Sequence, residues 1–195
     1  LFRYDLQFTV SSMSISDTPR SKLVWVAGND SSSGRVVSLS PYGAAFQTVV
    51  TAPRQSIRFA AIDTAKAATS KCVTWGGTGN YDRFSAWDIS YGRDNGPLIG
   101  AWDKLPSGYA DPVATTFGAL APNGSLWTLT EGSIRTYAAD GTSPKFITGC
   151  GREPSHVEMF GNKFWYNSTC GVYVYDTDTS QLVTKIETNG IRPAF

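Results

Sequence analysis

The sequence predicts an all-β fold, a β-propeller of about four recognisable four-stranded blades, and three observations support this prediction. A tryptophan recurs in similar short apolar segments, at Trp25, Trp75, Trp127 and Trp165, with spacings of 50, 52 and 38 residues. These spacings are close to the length of one propeller blade. Most other segments are short runs of β-branched and aromatic residues between turn-forming residues, which is typical of strands. Helical periodicity is weak, and only residues 63–71 offer a plausible helix.

The tryptophan segments are predicted to form the second strand of each blade, and a third strand follows each across a tight turn. In the last two copies the register agrees, because ten residues separate Trp127 from Tyr137 and also Trp165 from Tyr175. An Asn-Gly or Gly-Asn pair stands just before both tryptophan strands, where a hairpin turn is expected. The third strands are expected in RVVSLS (35–40), RFSAWDIS (83–90), SIRTYAAD (133–140) and GVYVYDTD (171–178).

Outer and innermost strands complete each predicted blade. Turn-rich stretches follow the third strands and lead to outer strands at 45–50, 98–104, 145–150 and 182–187. Innermost strands should be short and rich in small residues, because blades crowd together at the propeller axis. They are expected at 8–15, 56–62, 112–120 and 155–160. The four blades then span about 8–52, 53–106, 107–150 and 151–189.

The two chain ends are expected to hold parts of further strands. FRYD at 2–5 is similar to the third strand at 172–176, and NGIRPAF at 189–195 is similar to the first strand at 54–60. We therefore expect residues 1–195 to form a single propeller domain or segment, with partial strands at 1–7 and 190–195. Propellers often close by joining strands from both ends. Here no second strand accompanies the two pieces, which favours a segment of a larger ring.

These repeats resemble the β-propeller repeat superfamily, and residues 171–187 (GVYVYDTDTSQLVTKIE) are similar to Kelch-like and quinoprotein-like blades. The double glycine of Kelch blades is matched only in part, at Gly76–Gly77, and no consistent Trp-Asp signature is present. Four blades in this length also resemble a hemopexin domain. The disulfide expected there between the chain ends has no matching cysteines. The resemblance implies the fold, and it carries over no family's functional residues.

The composition excludes several classes of function. Apolar residues make up 41% of the chain and charged residues 17%, so a folded core is expected. The net charge is +1 and no run of Lys or Arg occurs, which argues against a nucleic-acid partner. No apolar stretch approaches the ~20 residues of a membrane span. With one histidine and no phosphate-binding, EF-hand or CxxC motif, we expect no cofactor and no metal.

Cysteines and glycosylation sequons favour a secreted or extracellular glycoprotein. Cys150 ends a predicted outer strand and Cys170 lies in a turn of the next blade, so a disulfide between them is geometrically reasonable. Such a bond would stabilise the fold by roughly 3 kcal/mol. Cys72 is then expected to be a buried thiol. Three sequons fall at predicted turns, and they begin at Asn29, Asn123 and Asn167.

Blade topology predicts one face that binds a ligand. This face collects the connections from outer strands to the next innermost strands, together with the second-to-third-strand turns at 28–34, 76–82, 130–132 and 167–171. Long glycine-rich loops such as the first two are common in binding sites. The candidate ligand-binding residues lie on this face or near the innermost strands: Arg54, Arg58, Asp111, Arg152, Glu153, His156 and Arg192, with Glu158 beside His156. Solvated loop charge and ion pairs between blades are the alternative.

The aromatic residues have two interpretations as well. The repeated tryptophans could stack on sugars, but a fixed position in the second strand favours packing between adjacent blades. Trp87 and Trp102 are expected in outer-strand positions and to be more exposed than the other tryptophans. The sequon-bearing turns and the charged loops therefore offer better candidate sites than the tryptophan repeat itself.

We therefore expect a non-catalytic secreted or cell-surface propeller that binds a glycan or a protein through its loop face. The first alternative is a fragment of a propeller enzyme, a glycoside hydrolase or an oxidoreductase. Carboxylates could pair as acid and base in such an enzyme, although no spacing singles out two of them. The second alternative is a structural module of an extracellular assembly. Further partners would be the remaining blades of a larger chain or another subunit.

Overall fold

A computed structural model of the chain describes residues 5–18, 21–39, 46–63, 71–78, 81–89, 98–102, 115–130, 133–139, 142–143, 145–148 and 156–187. Sixteen strands in these ranges form four antiparallel sheets of four strands each. The described ranges contain no helix, and residues 64–70 of the stretch considered as a helix lie outside them. The predicted fold class, an all-β chain of four four-stranded propeller blades, is confirmed.

The chain divides into two compact units, and the first, residues 1–104, holds two of the sheets. The first sheet contains β1 (Thr9–Thr18), β2 (Ser21–Asn29), β3 (Ser33–Leu39) and β4 (Phe46–Pro53). The second sheet contains β5 (Phe59–Asp63), β6 (Lys71–Thr78), β7 (Tyr81–Asp88) and β8 (Leu98–Trp102).

The second compact unit, residues 105–195, holds the other two sheets. The third sheet contains β9 (Thr115–Leu120), β10 (Leu126–Thr130), β11 (Ser133–Tyr137) and β12 (Lys145–Thr148). The fourth sheet contains β13 (His156–Phe160), β14 (Lys163–Ser168), β15 (Gly171–Asp176) and β16 (Leu182–Ile186).

Every sheet is a meander, because each strand pairs with its neighbour along the chain. The repeated tryptophans lie where the sequence predicts them, in the second strands β2, β6, β10 and β14. In three of the sheets the pairing of third and fourth strands has one irregularity, at Val36/Val37, Ala86/Trp87 and Val174/Tyr175. Such bulges increase the local twist of a strand. A bulge between the third and fourth strands therefore recurs in three of the four sheets.

The core of the first unit lies between its two sheets. Trp25 of β2 is 8% exposed and packs in one cluster with Cys72 of β6 and Trp87 of β7. On its other face, the first sheet buries Val26, Val37 and Leu39. Leu6 and Phe8, which precede β1, pack against these three residues. The segment before the first strand thus covers a sheet face that would otherwise expose apolar side chains.

The core of the second unit is strongly aromatic. Trp127 of β10 is 1% exposed, and its ring lies 5.4 Å from that of Phe164 in β14, measured between ring centroids. Tyr166 stacks on Tyr173 with a centroid distance of 4.9 Å and an interplanar angle of 8°. Burial raises the pKa of the Tyr166 hydroxyl, with smaller contributions from neighbouring tyrosines. The prediction that repeated tryptophans pack in the core is confirmed for Trp25 and Trp127.

The expected exposure of Trp87 is wrong. Trp87 lies in the third strand β7 rather than in an outer strand, and it is 8% exposed. Its indole Nε1 donates a hydrogen bond to the Thr74 hydroxyl at 2.9 Å, which satisfies the polar atom of a buried ring. Trp165 is half-buried, and the side chains of Trp75 and Trp102 lie outside the described part of the structure.

Candidate functional site

The predicted ligand face can be tested in the first unit, where the structure describes both of its elements. The turn between β2 and β3 follows Asn29, and the connection between β4 and β5 spans residues 54–58. The backbone N–H of Arg54 donates a hydrogen bond to the carbonyl oxygen of Ser32 at 2.8 Å. The two segments therefore lie on the same face, as predicted. We call residues 29–35 and 54–58 the clamped turn face.

Asn29 fastens the connection to the first sheet. Its amide Nδ2 donates to the carbonyl oxygen of Ile57 at 2.9 Å, and its Oδ1 accepts a hydrogen bond from the Ile57 backbone N–H. Ile57 is 1% exposed, so these backbone groups have lost most of their access to water. An asparagine side chain carries one donor and one acceptor in the arrangement that an extended backbone requires. At Ile57, the Asn29 side chain thus makes the two hydrogen bonds that the backbone of a neighbouring strand would otherwise make.

Ser11 adds a second attachment. It is the extra residue at the irregularity of β1, between Val10 and Ser12, so it has no ladder partner in β2. The Ser11 hydroxyl lies 2.6 Å from the carbonyl oxygen of Ile57 and 3.2 Å from that of Ala27. Because of this bulge, the Ser11 hydroxyl of the first sheet contacts the β4–β5 connection, which leads to the second sheet. Together, Ser11 of β1 and Asn29 of β2 supply hydrogen bonds to the backbone N–H and carbonyl groups of Ile57.

Two glycines let the connection lie close against the strands. A Cβ atom on Gly34 would contact Gln55 and Ile57, and a Cβ atom on Gly76 in β6 would overlap the carbonyl oxygen of Ser56. Only glycine permits approaches of this kind without displacing the backbone. The connection is thus held by hydrogen bonds from one sheet and by close packing against both sheets.

The turn between β2 and β3 is organised by Asp30. Asp30 Oδ1 accepts hydrogen bonds from the Ser32 and Ser33 backbone N–H groups, each at 2.7 Å, and from the Ser32 hydroxyl at 2.9 Å. Its Oδ2 lies 2.7 Å from the Arg35 guanidinium Nε. The Ser32 hydrogen bonds, followed by that of Ser33 and the Arg35 charge, lower the pKa of Asp30 from 3.8 to about 2, against an opposing effect of burial. Asp30 is therefore ionised at neutral pH.

The clamped turn face presents two exposed cations on this framework. Arg54 and Arg58 are both exposed, and Arg54 has a left-handed backbone conformation with φ of 57°. A non-glycine residue is uncommon in this region and persists only where its surroundings hold it. Guanidinium groups bind carboxylate, sulfate or phosphate groups through two parallel hydrogen bonds. The face can therefore bind an anionic group of a partner.

Other predicted site residues fall in different places. His156 and Glu158 both lie on β13, the first strand of the fourth sheet, and His156 Nε2 is 3.5 Å from Glu158 Oε2. Their side chains are 39% and 50% exposed, and both residues lie on the first strand of the sheet, where the sequence places them. The remaining candidates lie outside the described residues: Asp111, Arg152, Glu153 and Arg192.

The cysteine predictions have different outcomes. Cys72 is a free thiol with 0% exposure, as expected, and burial raises the pKa of that thiol. Cys170 is half-buried in the turn between β14 and β15, where its backbone N–H donates to the Ser168 hydroxyl at 3.2 Å. Cys150 lies outside the described residues, so a bond between Cys150 and Cys170 stays a prediction.

The placement of two sequon asparagines at turns is wrong. Asn167 lies inside β14 and is 1% exposed, and Asn29 ends β2 with its amide bonded to Ile57. Asn123 lies in the turn between β9 and β10 and is exposed. Among the three, Asn123 presents its side chain best to a glycosyltransferase. Glycosylation itself stays a prediction at each position.

A polar network occupies the turn ends of the second unit. Asp176 Oδ1 accepts hydrogen bonds from the Asp178 and Thr179 backbone N–H groups at 3.0 and 2.9 Å, and Asp176 Oδ2 pairs with the Lys163 ammonium. The Lys163 ammonium is the main reason that the pKa of Asp176 lies well below its usual range. The acidic run DTDTS (176–180) is thus a turn whose first carboxylate is already neutralised. Within the described ranges, no group of three or more His, Cys, Asp or Glu residues could hold a metal ion.

Sequence reasoning missed the details of the clamped turn face. An aspartate followed by serines at the second and third positions, as in Asp30–Ser33, is a signal for a turn closed by the side chain. A similar turn begins at Asp176, which is followed at these positions by Asp178 and Thr179. The contacts of Ser11 and Asn29 with Ile57 join residues 46 and 28 positions apart. Nothing in the local sequence indicates these pairings.

Comparisons with known proteins support the fold alone. No protein-family model and no curated protein matches the chain. Among solved structures, BBS1N in complex with ARL6DN is similar, with a TM-score of 0.60, 14% identity, and coverage of 96% of this chain and 55% of that one. XC5397, a gluconolactonase from Xanthomonas campestris, has a TM-score of 0.54, 13% identity, and coverage of 86% and 58%. The WD40 domain of SCAP from fission yeast has a TM-score of 0.50, 13% identity, and coverage of 92% and 45%.

These structures agree with the predicted β-propeller fold, because WD40 repeats form propeller blades. The chain spans about half the length of the structures that it matches. No helix in the described ranges is long and apolar enough to span a membrane.

Proposed function

We propose that this propeller chain is a non-catalytic binding module whose clamped turn face docks an acidic surface of a protein partner. The observation that carries the proposal is the attachment of Ile57 to Asn29 and Ser11, which holds the connection bearing Arg54 and Arg58 against the sheets. Arginine is enriched in protein interfaces and often dominates their binding energy. A similar propeller, BBS1N, has been solved in complex with another protein, ARL6DN.

The rigidity of the connection favours binding. Association costs free energy when loops and side chains must become ordered, and a preformed backbone lowers that cost. On the clamped turn face, the backbone of both loops is already fixed by side-chain and backbone hydrogen bonds. A glycan that carries sulfate or carboxylate groups offers the same anionic chemistry and is the second ligand class to test.

The docking proposal is tested with charge-reversal variants. The native chain is immobilised, and the proteins that it retains from extracellular fluid are quantified. We expect the R54E/R58E variant to retain none of the same proteins. On a glycan array, we expect the variant to lose binding to glycans that carry anionic groups. Lys145 in β12 is also exposed, so K145E is the matched control and should keep the same partners. Equal binding by the native chain and R54E/R58E would contradict the proposal. Loss of binding by K145E as well would indicate a nonspecific charge effect.

We also propose that the chain is extracellular, with a glycan at Asn123 and a disulfide between Cys150 and Cys170. The exposure of Asn123 and the partly buried turn position of Cys170 support this proposal. Intact-mass spectrometry and peptide mapping of the chain secreted from animal cells provide the test. We expect a glycan at Asn123, an unmodified Asn167 and a Cys150–Cys170 peptide under non-reducing conditions. Free thiols at both cysteines together with three unmodified sequons would rule the proposal out.

A further inference from the structure

The turn between β9 and β10 holds an asparagine in an unusual set of contacts. Ala121 and Ser125 close the turn through a 2.9 Å hydrogen bond, and the Gly124 N–H donates to the Ala121 carbonyl oxygen at 2.8 Å. Asn123 Oδ1 accepts hydrogen bonds from the Ser125 backbone N–H at 2.9 Å and from the Ser125 hydroxyl at 2.7 Å. Asn123 Nδ2 donates to Asp178 Oδ1 at 3.3 Å. This last contact joins the turn of the third sheet to the β15–β16 turn of the fourth sheet.

We propose that Asn123 undergoes spontaneous deamidation in molecules that carry no glycan there, and that this modification converts the contact with Asp178 from attractive to repulsive. In the reaction, the Gly124 backbone nitrogen attacks Cγ of Asn123 and loses its proton to water. The bond from Cγ to Nδ2 breaks as Nδ2 takes up a proton from water, and Nδ2 leaves as ammonia. Water then opens the cyclic imide at either carbonyl, which leaves an aspartate or an isoaspartate at position 123. No oxidation or reduction occurs, and water is the only co-reactant.

Three features make Asn123 more reactive than other described asparagines. Gly124 has no side chain to shield the attacking nitrogen, and the asparagine itself is exposed. The two Ser125 donors point at Oδ1, where negative charge develops during the attack, and such donors stabilise an oxyanion. The hydrogen bond from Gly124 to Ala121 must open first, so the rate of the reaction follows opening of this turn.

Asn29 and Asn167 provide comparisons within the same chain. Asn29 precedes an aspartate and is held at both amide atoms by Ile57. Asn167 precedes a serine and is 1% exposed in β14. Neither is followed by a glycine, and both lie in paired strands. Their deamidation should therefore be several-fold slower.

The charges around position 123 determine how deamidation changes the contact with Asp178. Asp178 accepts hydrogen bonds from Asn123 through one oxygen and from Asn162 through the other, at 3.0 Å for the second. Asp176 lies in the same turn and is paired with Lys163. A carboxylate at position 123 can no longer donate to Asp178 and faces it with the same charge. An isoaspartate also lengthens the main chain by one methylene group within a tight turn.

The rate is measured on the full chain produced in bacteria, which do not attach N-glycans, so the result does not depend on the proposed function. The chain is incubated at 37 °C and at several pH values, and peptide mapping follows the mass increase and the isoaspartate at each asparagine. We expect conversion at Asn123 that rises with pH and exceeds that at Asn29 and Asn167 several-fold. The Asn-Gly pairs at 95–96 and 189–190 are read from separate peptides. Conversion at Asn123 no faster than at Asn167 would overturn the proposal.

Variants at positions 123 and 178 test whether a carboxylate at position 123 makes the contact with Asp178 repulsive. N123D should unfold at a lower urea concentration than the native chain at pH 7, and high salt should reduce the difference because it screens the repulsion. N123D/D178N should recover most of the loss, since the donor and acceptor are then exchanged. N123Q cannot form the five-membered imide readily and should show no conversion at position 123. Equal stability of N123D and the native chain at low salt would overturn the proposed consequence.

Discussion

The Asn29 side chain supplies Ile57 with both hydrogen bonds that a neighbouring strand would otherwise provide. N29A removes the donor and the acceptor together and leaves two buried backbone groups of Ile57 with fewer partners. We expect it to lower the free energy of unfolding by about 1–3 kcal/mol. Urea denaturation measures this change. S31A is the control, because Ser31 is exposed in the adjacent turn and should change stability little.

Asp30 connects the stability of the chain to pH. Its pKa in the folded protein is about 2, below its ordinary value of 3.8. A group with a lowered folded pKa contributes stability that is fully present above the ordinary pKa and is lost as pH falls through the folded one. We expect the native chain to be more stable than D30N above pH 4, with a difference that shrinks between pH 4 and 2. Urea midpoints of both proteins across this range measure it, and a constant difference would contradict the assignment.

At the scale of single residues, the sequence predicts some groups well and others poorly. The burial of Cys72 and the packing of Trp127 follow from their positions in strongly apolar second strands. The burial of Trp87 does not, because Trp87 is expected in an outer strand but lies in the third strand β7, where it pairs with Cys72 of β6. The burial of Asn167 also escapes prediction, since the Asn-Ser-Thr segment has the composition of a turn but pairs with β15.

At the scale of elements, the packing of β6 against the β4–β5 connection depends on Gly76. A methyl group there would overlap the Ser56 carbonyl oxygen, and backbone cannot move aside as a side chain can. We expect G76A to destabilise the chain by about 1–3 kcal/mol through overpacking. G161A is the control, because no atom lies within 4 Å of a Cβ at that position. The left-handed φ of 57° at Gly161 strains an alanine by about 1–2 kcal/mol without any steric overlap, so G161A measures this backbone cost alone.

Thermal and urea unfolding distinguish the two glycines. A G76A chain as stable as the native chain would show that the connection is not held closely against β6. The first, third and fourth strands of the fourth sheet begin within one residue of the predicted positions. The long loops expected at 28–34 and 76–82 are wrong, because most of these residues lie in strands β2, β3, β6 and β7. The strand contacts of residues 54–58 were not predictable, since they involve residues of β1, β2 and β6 that are distant in sequence.

At the scale of the whole molecule, each compact unit has its own core, and the aromatic cluster of the second unit is centred on Trp127. W127A removes a ring that is 1% exposed and in contact with Phe164. We expect a loss of about 3–5 kcal/mol in the free energy of unfolding, because a large cavity remains. F160A is the control, since Phe160 is 78% exposed. Equal urea midpoints for the two variants would contradict the packing role of the tryptophan repeat.

The repeat predicts the four sheets because blade architecture requires a similar apolar pattern in every copy. It does not predict the clamped turn face, because each blade builds its loops differently on the same frame. The β2–β3 turn of the first unit is closed by Asp30 and is attached to the β4–β5 connection, whereas the β15–β16 turn of the second unit is closed by Asp176, which pairs with Lys163. The periodicity of the sequence therefore predicts the four sheets. The candidate site depends on contacts between residues of different strands, which the sequence pattern does not show.

The pairing of each strand with its neighbour along the chain also has a consequence for folding during synthesis. Contacts between residues close in sequence form quickly, and domains begin to fold from the N-terminal end as the chain emerges from the ribosome. The first sheet can therefore pair while the second is still being translated. Ser11 and Asn29 acquire their shared partner only when Ile57 emerges. We therefore expect the nascent first sheet to gain stability when that residue emerges.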